Sequence, residues 1–280
     1  MQLPRLKHRI HQSRAGQIHY WLSEEINPRL PWLVWLPGLT ADHRLFLPQL
    51  EYFQDQANLF VWDPPAHGKS KSYDLAEFTV DGLSRRLHDI LQTEGIEKPI
   101  LVGLSYGGYV IQGYLHNYPQ AAEGVIIMDS APLKKQYFKR YELWALANTN
   151  TLLKLMPWRL LVKSGVKAAA CTAAGQNLMR TWMEETDREA YIALAVQGYK
   201  ALGDAINLDL PYEMNVPALI ICGELDKAGS AKTLSEKWAA TEKLPIVWVP
   251  KAGHLSTIDN PDAVNTAINE FLKKFKESAR

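Results

Sequence analysis

Six short apolar runs punctuate this chain: "PWLVWLP" (31–37), "ANLFVWD" (57–63), "PILVGL" (99–104), "GVIIMD" (124–129), "PALIIC" (217–222) and "PIVWVP" (245–250). They are almost uncharged and rich in Val, Ile, Leu and Trp, and most end in Gly, Pro or Asp. A strand with one wet face would alternate polar and apolar residues; a continuous apolar run predicts a strand buried on both faces, as in a parallel sheet. Stretches 44–54, 78–94, 106–118, 230–240 and 261–277 carry helical patterning between the runs. The last starts with Pro261 and spaces Val264, Ile268, Phe271, Leu272 and Phe275 along one face. Strands alternating with helices predict an α/β fold, a mostly parallel sheet flanked by helices. Near the N-terminus, "KHRIHQSRAGQIHYWLS" predicts a hairpin around Ala15-Gly16 and an antiparallel edge.

The alternation stops between about 131 and 211, where the pattern is helical throughout, with Pro157 and several glycines as breaks. An all-helical insertion of residues 131–211 between two strands of a core made of 1–130 and 212–280 accounts for this. Such an insertion usually covers the strand ends where ligands bind. A 280-residue chain suits one α/β domain with an insertion.

With 47% hydrophobic and 22% charged residues, the chain has the composition of a globular protein with a large core. A formal net charge of +1 argues against nucleic acid or an anionic membrane as the main partner. The start, "MQLPRLKHRIHQSRAGQ", lacks the apolar centre of a signal peptide. Lys154, Arg159 and Lys163 interrupt the best candidate for a spanning segment. Cys171 and Cys222 match no metal or redox spacing and are expected as buried free thiols in a reducing compartment. The expectation is a cytoplasmic protein with a small-molecule substrate and an oligomeric state that the sequence leaves open.

Gly103-Leu104-Ser105-Tyr106-Gly107 has the form G-x-S-x-G, between an apolar run and a helical pattern. A serine on a very sharp strand-to-helix turn brings the residues two before and two after so close that a Cβ would collide, hence glycine at both. The turn lifts Oγ above the sheet, and the helix start directs free N–H groups and a positive dipole end to the same place. A tight turn with an incidental serine is the competing reading.

A serine hydroxyl at neutral pH needs a base. Of eight histidines, only His116 and His254 follow Ser105. His116 is on the helix that follows Ser105, about 16 Å along at ~1.5 Å per residue, too far to serve. His254, in "VPKAGHLSTIDNP", follows the last apolar run in a glycine-containing loop and is the expected base. His67, in "DPPAHGKS", reads as a loop-structuring residue, and His43 and His88 as exposed or packing residues. The base needs a carboxylate to fix its tautomer. Asp226, in "ALIICGELDKAGS", is the preferred acid; Glu224 is a neighbour, and Asp129, in "IIMDSAP", is the rival. The oxyanion donors are expected from the N–H groups of Tyr106 and of Leu39 in "PGLT", although "PGLT" also reads as an ordinary turn. No metal and no organic cofactor is expected.

The segments "LPGLTADHRLFLPQL", "DPPAHGKS", "GLSYGG", "GELDKAG", "AGHLSTIDNP" and "VNTAINEFLKK" resemble the α/β-hydrolase family over almost the whole chain. The resemblance implies an α/β-hydrolase fold, supports the Ser105–Asp226–His254 triad with Leu39 and Tyr106 as backbone donors, and implies that the helical insertion is a cap. Pro37 stands where many relatives have histidine, and Ala66 where the turn after Asp63 usually carries glycine. The serine argues against the activity of those relatives that open epoxides or carbon–halogen bonds through an aspartate.

These features predict a serine hydrolase that cleaves a carboxylic ester-type bond of a small, largely apolar substrate through an acyl-enzyme on Ser105. Trp144, Met156, Trp158, Met179, Trp182 and Met183 are the candidates for lining the substrate pocket, although most such residues pack helices together. Lys134, Lys135, Lys139 and Arg140 read as a solvated basic face or as a carboxylate-recognising rim. Three alternatives stay open: a carbon–carbon bond hydrolase or lyase using the same triad, an aminopeptidase using Glu184, Glu185 and Asp187, and a non-catalytic small-ligand receptor.

Overall fold

A computed structural model describes residues 5–278. Each of the six apolar runs forms a strand: β3 (Trp32–Leu36), β4 (Asn58–Trp62), β5 (Ile100–Leu104), β6 (Gly124–Met128), β7 (Ala218–Gly223) and β8 (Ile246–Val249). The hairpin β1 (Leu6–Ser13) and β2 (Gly16–Ser23) precedes them. The eight-stranded sheet runs β1-β2-β4-β3-β5-β6-β7-β8, antiparallel at β1/β2 and β2/β4 and parallel elsewhere.

Within each central strand, successive side chains enter opposite cores. Val34, Leu36, Phe60, Leu101, Val125 and Ile127 face α2 (Val80–Thr93), α3 (Tyr106–Asn117) and α9 (Ala231–Glu242). Leu33, Trp35, Val61, Val102, Ile126 and Ile221 face α1 (Leu47–Phe53) and α11 (Pro261–Ser278). This two-sided burial is why the runs lack alternation. The stretch expected as one helix over 44–54 begins instead as a 3-10 turn at His43–Phe46, and α1 starts only at Leu47. Pro48, with no N–H to give, fits the first turn of that helix and not its interior.

Between β6 and β7 lie five helices: α4 (Arg140–Ala147), α5 (Thr149–Leu155), α6 (Trp158–Ala169), α7 (Ala173–Glu184) and α8 (Arg188–Asn207). Pro157 separates α5 from α6. They enclose a small core of Leu161, Val162, Val166, Met183, Tyr191, Ile192 and Ala195. Leu194, Leu202 and Ile206 of α8 join the core on the α3 face, and Trp182 of α7 joins the other. Among the described residues, no helix is long and apolar enough to cross a membrane.

Two expectations are corrected. Cys222, in β7, is buried, but Cys171 is exposed, because it lies in the turn between α6 and α7 and not in an apolar element. The sixth run is not buried on both faces, because β8 lies at the sheet edge and leaves Val247 exposed. His43 packs as expected and also pairs with an acid. Its Nδ1 lies 2.6 Å from the buried Asp63 carboxylate, and its ring is 4.1 Å from that of Trp21.

Ala66 has φ +68, a left-handed backbone that explains why a glycine suits this position. That geometry costs a non-glycine residue about 1–2 kcal/mol, and the freer unfolded chain of a glycine variant offsets about 0.4–1 kcal/mol of the relief. Ala66→Gly is therefore expected to raise the melting temperature by about 1–3 °C. A melting temperature below that of the parent chain, measured by differential scanning calorimetry, would contradict this account.

Candidate active site

The parallel strands all point their carboxyl ends to one side of the sheet, and the expected site residues follow them there: Ser105 after β5, Asp129 after β6, Asp226 after β7 and His254 after β8. Ser105 has φ +54 and ψ −113, a conformation that few L-residues adopt. The turn is so tight that a Cβ at Gly107 would sit 1.9 Å from the Leu36 carbonyl oxygen, and one at Gly103 would sit 2.5 Å from the Gly107 backbone. Both neighbours must be glycine for β5 and α3 to meet this closely. The Ser105 N–H donates to the Met128 carbonyl at 2.8 Å, and the Ser130 hydroxyl donates to the Ser105 carbonyl at 2.8 Å. Sheet and loop thus hold both sides of the strained residue.

The loop after β3 lies against this serine: a Cβ at Gly38 would be 3.2 Å from that of Ser105. Leu39 comes next, its side chain against the bare backbone of Gly198 in α8. Thr40 follows with φ +64, unusual for a β-branched residue. Its N–H donates to Nε2 of His67 at 2.8 Å, and Nδ1 of His67 lies 2.8 Å from the Pro65 carbonyl. An amide N–H can only donate and a carbonyl can only accept, so His67 carries its proton on Nδ1 and is neutral. Burial pushes its pKa down, in accord with that state. Asp63 fixes the same loop by accepting from the N–H groups of His43 at 3.0 Å and Lys69 at 2.7 Å.

His254 Nδ1 lies 2.9 Å from Oδ2 of the buried Asp226, whose Oδ1 accepts from the Ala228 N–H at 2.8 Å. An ionised carboxylate can only accept, so His254 donates from Nδ1 and its Nε2 is left to take a proton. Burial pushes the imidazole pKa down, but the Asp226 charge and hydrogen bond, aided by the charge of Asp129, outweigh it and hold the group above its ordinary value. Asp129 does not take the place of Asp226. Its oxygens accept from the Gly223 N–H at 2.7 Å and from the Ser256 hydroxyl. Burial pushes the Asp129 carboxyl up to about 7, His254 opposing and Asp226 adding to the rise. Glu224 is exposed.

Three metal-capable side chains approach one another at Asp42–His43–Asp63 and at Asp129–Cys222–Asp226. The carboxylates in both groups accept from protein donors, including the Arg44 guanidinium on Asp42.

The tryptophans and methionines of the helical segment are dispersed. Trp144 is 67% exposed, Trp182 is buried, and Met183 is fully enclosed in the small helical core. Met156, Trp158 and Met179 are half-buried against that core, Trp158 meeting Tyr191 edge-on at 5.5 Å. A cavity of about 780 Å³ lies between α7–α8 and the loops of Thr40, His43 and His67; Trp182 lines it, whereas Ser105 and His254 do not. Glu185 accepts from Arg44 at 2.6 Å and Asp187 caps α8, so these two acidic groups have protein partners. Lys134 pairs with Glu242 at 2.7 Å.

The family model of the alpha/beta hydrolase family matches residues 33–267. This chain belongs to that family. Among curated relatives of this alpha/beta hydrolase is the 2-succinyl-6-hydroxy-2,4-cyclohexadiene-1-carboxylate synthase of Yersinia enterocolitica, 25% identical over 87% of both chains. Among solved structures, a thermophilic esterase from Thermogutta terrifontis superposes with a TM-score of 0.76 at 22% identity, over 97% of this chain and 99% of that one. The Cif epoxide hydrolase from Acinetobacter nosocomialis superposes with a TM-score of 0.79 at 14% identity, over 96% and 89%. At these identities the superpositions establish the shared fold.

Sequence reasoning passed over the residues that hold this alpha/beta hydrolase site in place. Ser130 lies in the loop after β6, and Ser256 and Asp259 begin and end a helix of only four residues, too short for a periodic signal. Asp129 was weighed only as a rival acid. The Asp226 charge should dominate the titration of His254. Followed by proton NMR, the His254 imidazole is expected to titrate above the ordinary value of about 6.5. Asp226→Asn should bring that titration down further than Asp129→Asn does; the reverse order would assign the imidazole to Asp129.

Proposed function

We propose that this alpha/beta hydrolase is a serine hydrolase that cleaves a carboxylic ester-type bond of a small, largely apolar substrate. The observation that carries the reading is the 2.9 Å pair of His254 with buried Asp226, on the same side of the sheet as a serine held at φ +54. His254 Nε2 takes the Ser105 proton as Oγ attacks the carbonyl carbon. The charge that develops on the carbonyl oxygen is met by the N–H groups of Leu39 and Tyr106, Tyr106 opening α3. His254 then gives its proton to the leaving alcohol, and water repeats the sequence on the acyl-enzyme to release the acid. The helices of residues 131–211 act as a cap that selects the substrate above a core of 1–130 and 212–280.

A second reading keeps the same three residues for a carbon–carbon bond hydrolase or lyase. Its support is the naming of the curated relatives as synthases across 87% of this chain.

The test uses a serine-directed phosphonate and p-nitrophenyl acetate, butyrate and octanoate. The parent chain is expected to take the label and turn over at least one ester. Ser105→Ala should lose both, with turnover lower by about 10⁶-fold, and Asp226→Asn should lose about 10⁴-fold. A Ser105→Ala variant that retains a tenth of the parent rate would remove Ser105 from the chemistry. Labelling without ester turnover, together with cleavage of a β-diketone, would support the second reading. Labelling with no turnover of any substrate would leave a receptor.

A further inference from the structure

The residues on both sides of His254 are bonded to the helical segment and not only to the sheet. Gly253 donates its N–H to Oδ2 of Asp259 at 2.8 Å, and the Cys171 N–H donates to that same oxygen at 2.8 Å. Oδ1 of Asp259 accepts from the Thr172 N–H at 2.9 Å and from the Thr172 hydroxyl at 2.6 Å. On the other side, the Leu255 N–H donates to the Ala169 carbonyl at 2.8 Å. Cys171 and Thr172 form the turn between α6 and α7, and Asp259 ends the short helix α10 (Ser256–Asp259). One carboxylate therefore joins the turn of the inserted helices to the residue that precedes His254.

The contacts are tight at Gly253 and leave no room for a Cβ at Gly175 without a shift. A Cβ at Gly253 would come within 3.2 Å of Asp259 Oδ2 and of Cys171 Sγ, and one at Gly175 within 2.8 Å of Asp259 Oδ1. Behind the loop, Ser256 bonds Asp129, Gln49 Nε2 donates to the Thr257 carbonyl at 3.0 Å, and the Thr257 hydroxyl donates to the Leu45 carbonyl at 3.1 Å. The loop is thus pinned to the sheet side by Ser256 and Thr257 and to the helical segment by Gly253, Leu255 and Asp259.

We propose that Asp259 is a positioning residue that clasps the His254 loop to the α6–α7 turn, so that seating of the inserted helices sets the aim of the imidazole. This rests on the reading of His254 as the base. Hydrogen bonds to an ionised carboxylate are shorter and stronger than neutral ones, and four donors converge on this one group. An asparagine cannot replace it, because its amide nitrogen would face N–H donors with donors of its own.

The test compares Asp259→Asn, Thr172→Val and Thr172→Ser in the full chain by phosphonate labelling, ester kinetics and amide hydrogen exchange. Misplacement of a catalytic group by about 1 Å lowers rate about 10²-fold. Asp259→Asn is expected to slow labelling of Ser105 by about 10–10²-fold and to lower kcat with KM little changed. Its amide exchange should quicken at 169–172 and 253–255 together. Thr172→Val should show a smaller loss of the same kind, and Thr172→Ser should label at the parent rate. Parent labelling rates in both Asp259→Asn and Thr172→Val would overturn the proposal, as would faster exchange confined to the α6–α7 turn. If Asp259→Asn does not fold, Thr172→Val against Thr172→Ser decides the matter. A parent chain that takes no phosphonate at all would defeat the hydrolase reading, and the clasp would then be judged on exchange alone.

Discussion

The site begins with a collision that is avoided. Strand β5 must turn into α3 within one residue, beside β3, and the Leu36 carbonyl leaves no room for a Cβ at Gly107. Only a left-handed residue at 105, between two glycines, lets the helix start that close to the sheet. The strain persists because the surroundings determine it from both sides, through the Met128 carbonyl and the Ser130 hydroxyl. The same closeness brings the Ser105 side chain beside Gly38 and the start of α3 beneath it. Position, exposure and nearby N–H groups thus follow from one backbone constraint.

Charge is the second constraint. Three buried acidic groups, Asp63, Asp129 and Asp226, lie at or just beyond strand ends, where desolvation penalises each anion. Each has protein donors, and each joins two segments that are distant in sequence: His43 and Lys69 at Asp63, Gly223 and Ser256 at Asp129, Ala228 and His254 at Asp226. Asp129 and Asp226 offer oxygens within 4.8 Å of each other, and like charges that close disfavour joint ionisation. The geometry separates their roles: Asp226 holds the imidazole of His254, while Asp129 is taken up by the Gly223 N–H and the Ser256 hydroxyl.

The fold was legible because its signal is repeated: all six apolar runs form strands, those of β4, β5, β6 and β7 are buried throughout, and only β8, at the sheet edge, leaves a large apolar side chain, Val247, exposed. Ser105 was legible because the glycine spacing around it has a steric cause that acts within five residues. Asp226 and His254 could be named by the strand each follows, since strand ends in a parallel sheet converge. The cavity walls could not be read in the same way. Trp144 in α4 and Trp182 in α7 belong to one helical segment, yet one is mostly exposed and the other buried. Which face of each helix turns inward depends on how α4–α8 pack on one another, and no residue pattern within a single helix determines that. The exposure of Cys171, expected to be buried, and the His43–Asp63 pair are not legible for a related reason, because neither Cys171 nor His43 belongs to a periodic element long enough to show a face.

The stabilising contacts also divide unevenly between core and inserted helices. Ser105 is held by Met128 at the end of β6 and by Ser130 in the loop that follows, whereas Leu39 touches α8 and the His254 loop bonds the α6–α7 turn. A displacement of the inserted helices would leave the serine in place and disturb the loop that precedes Thr40 and the loop that carries the imidazole. In such an arrangement the strained residue is the fixed point, and under the proposed hydrolase reading the groups that would take the proton and meet the developing charge are those whose positions depend on the inserted helices. Under that reading, seating of the inserted helices and alignment of the imidazole are coupled, because the Asp259 carboxylate and the Ala169 carbonyl that engage the end of α6 and the α6–α7 turn also hold the residues on either side of His254.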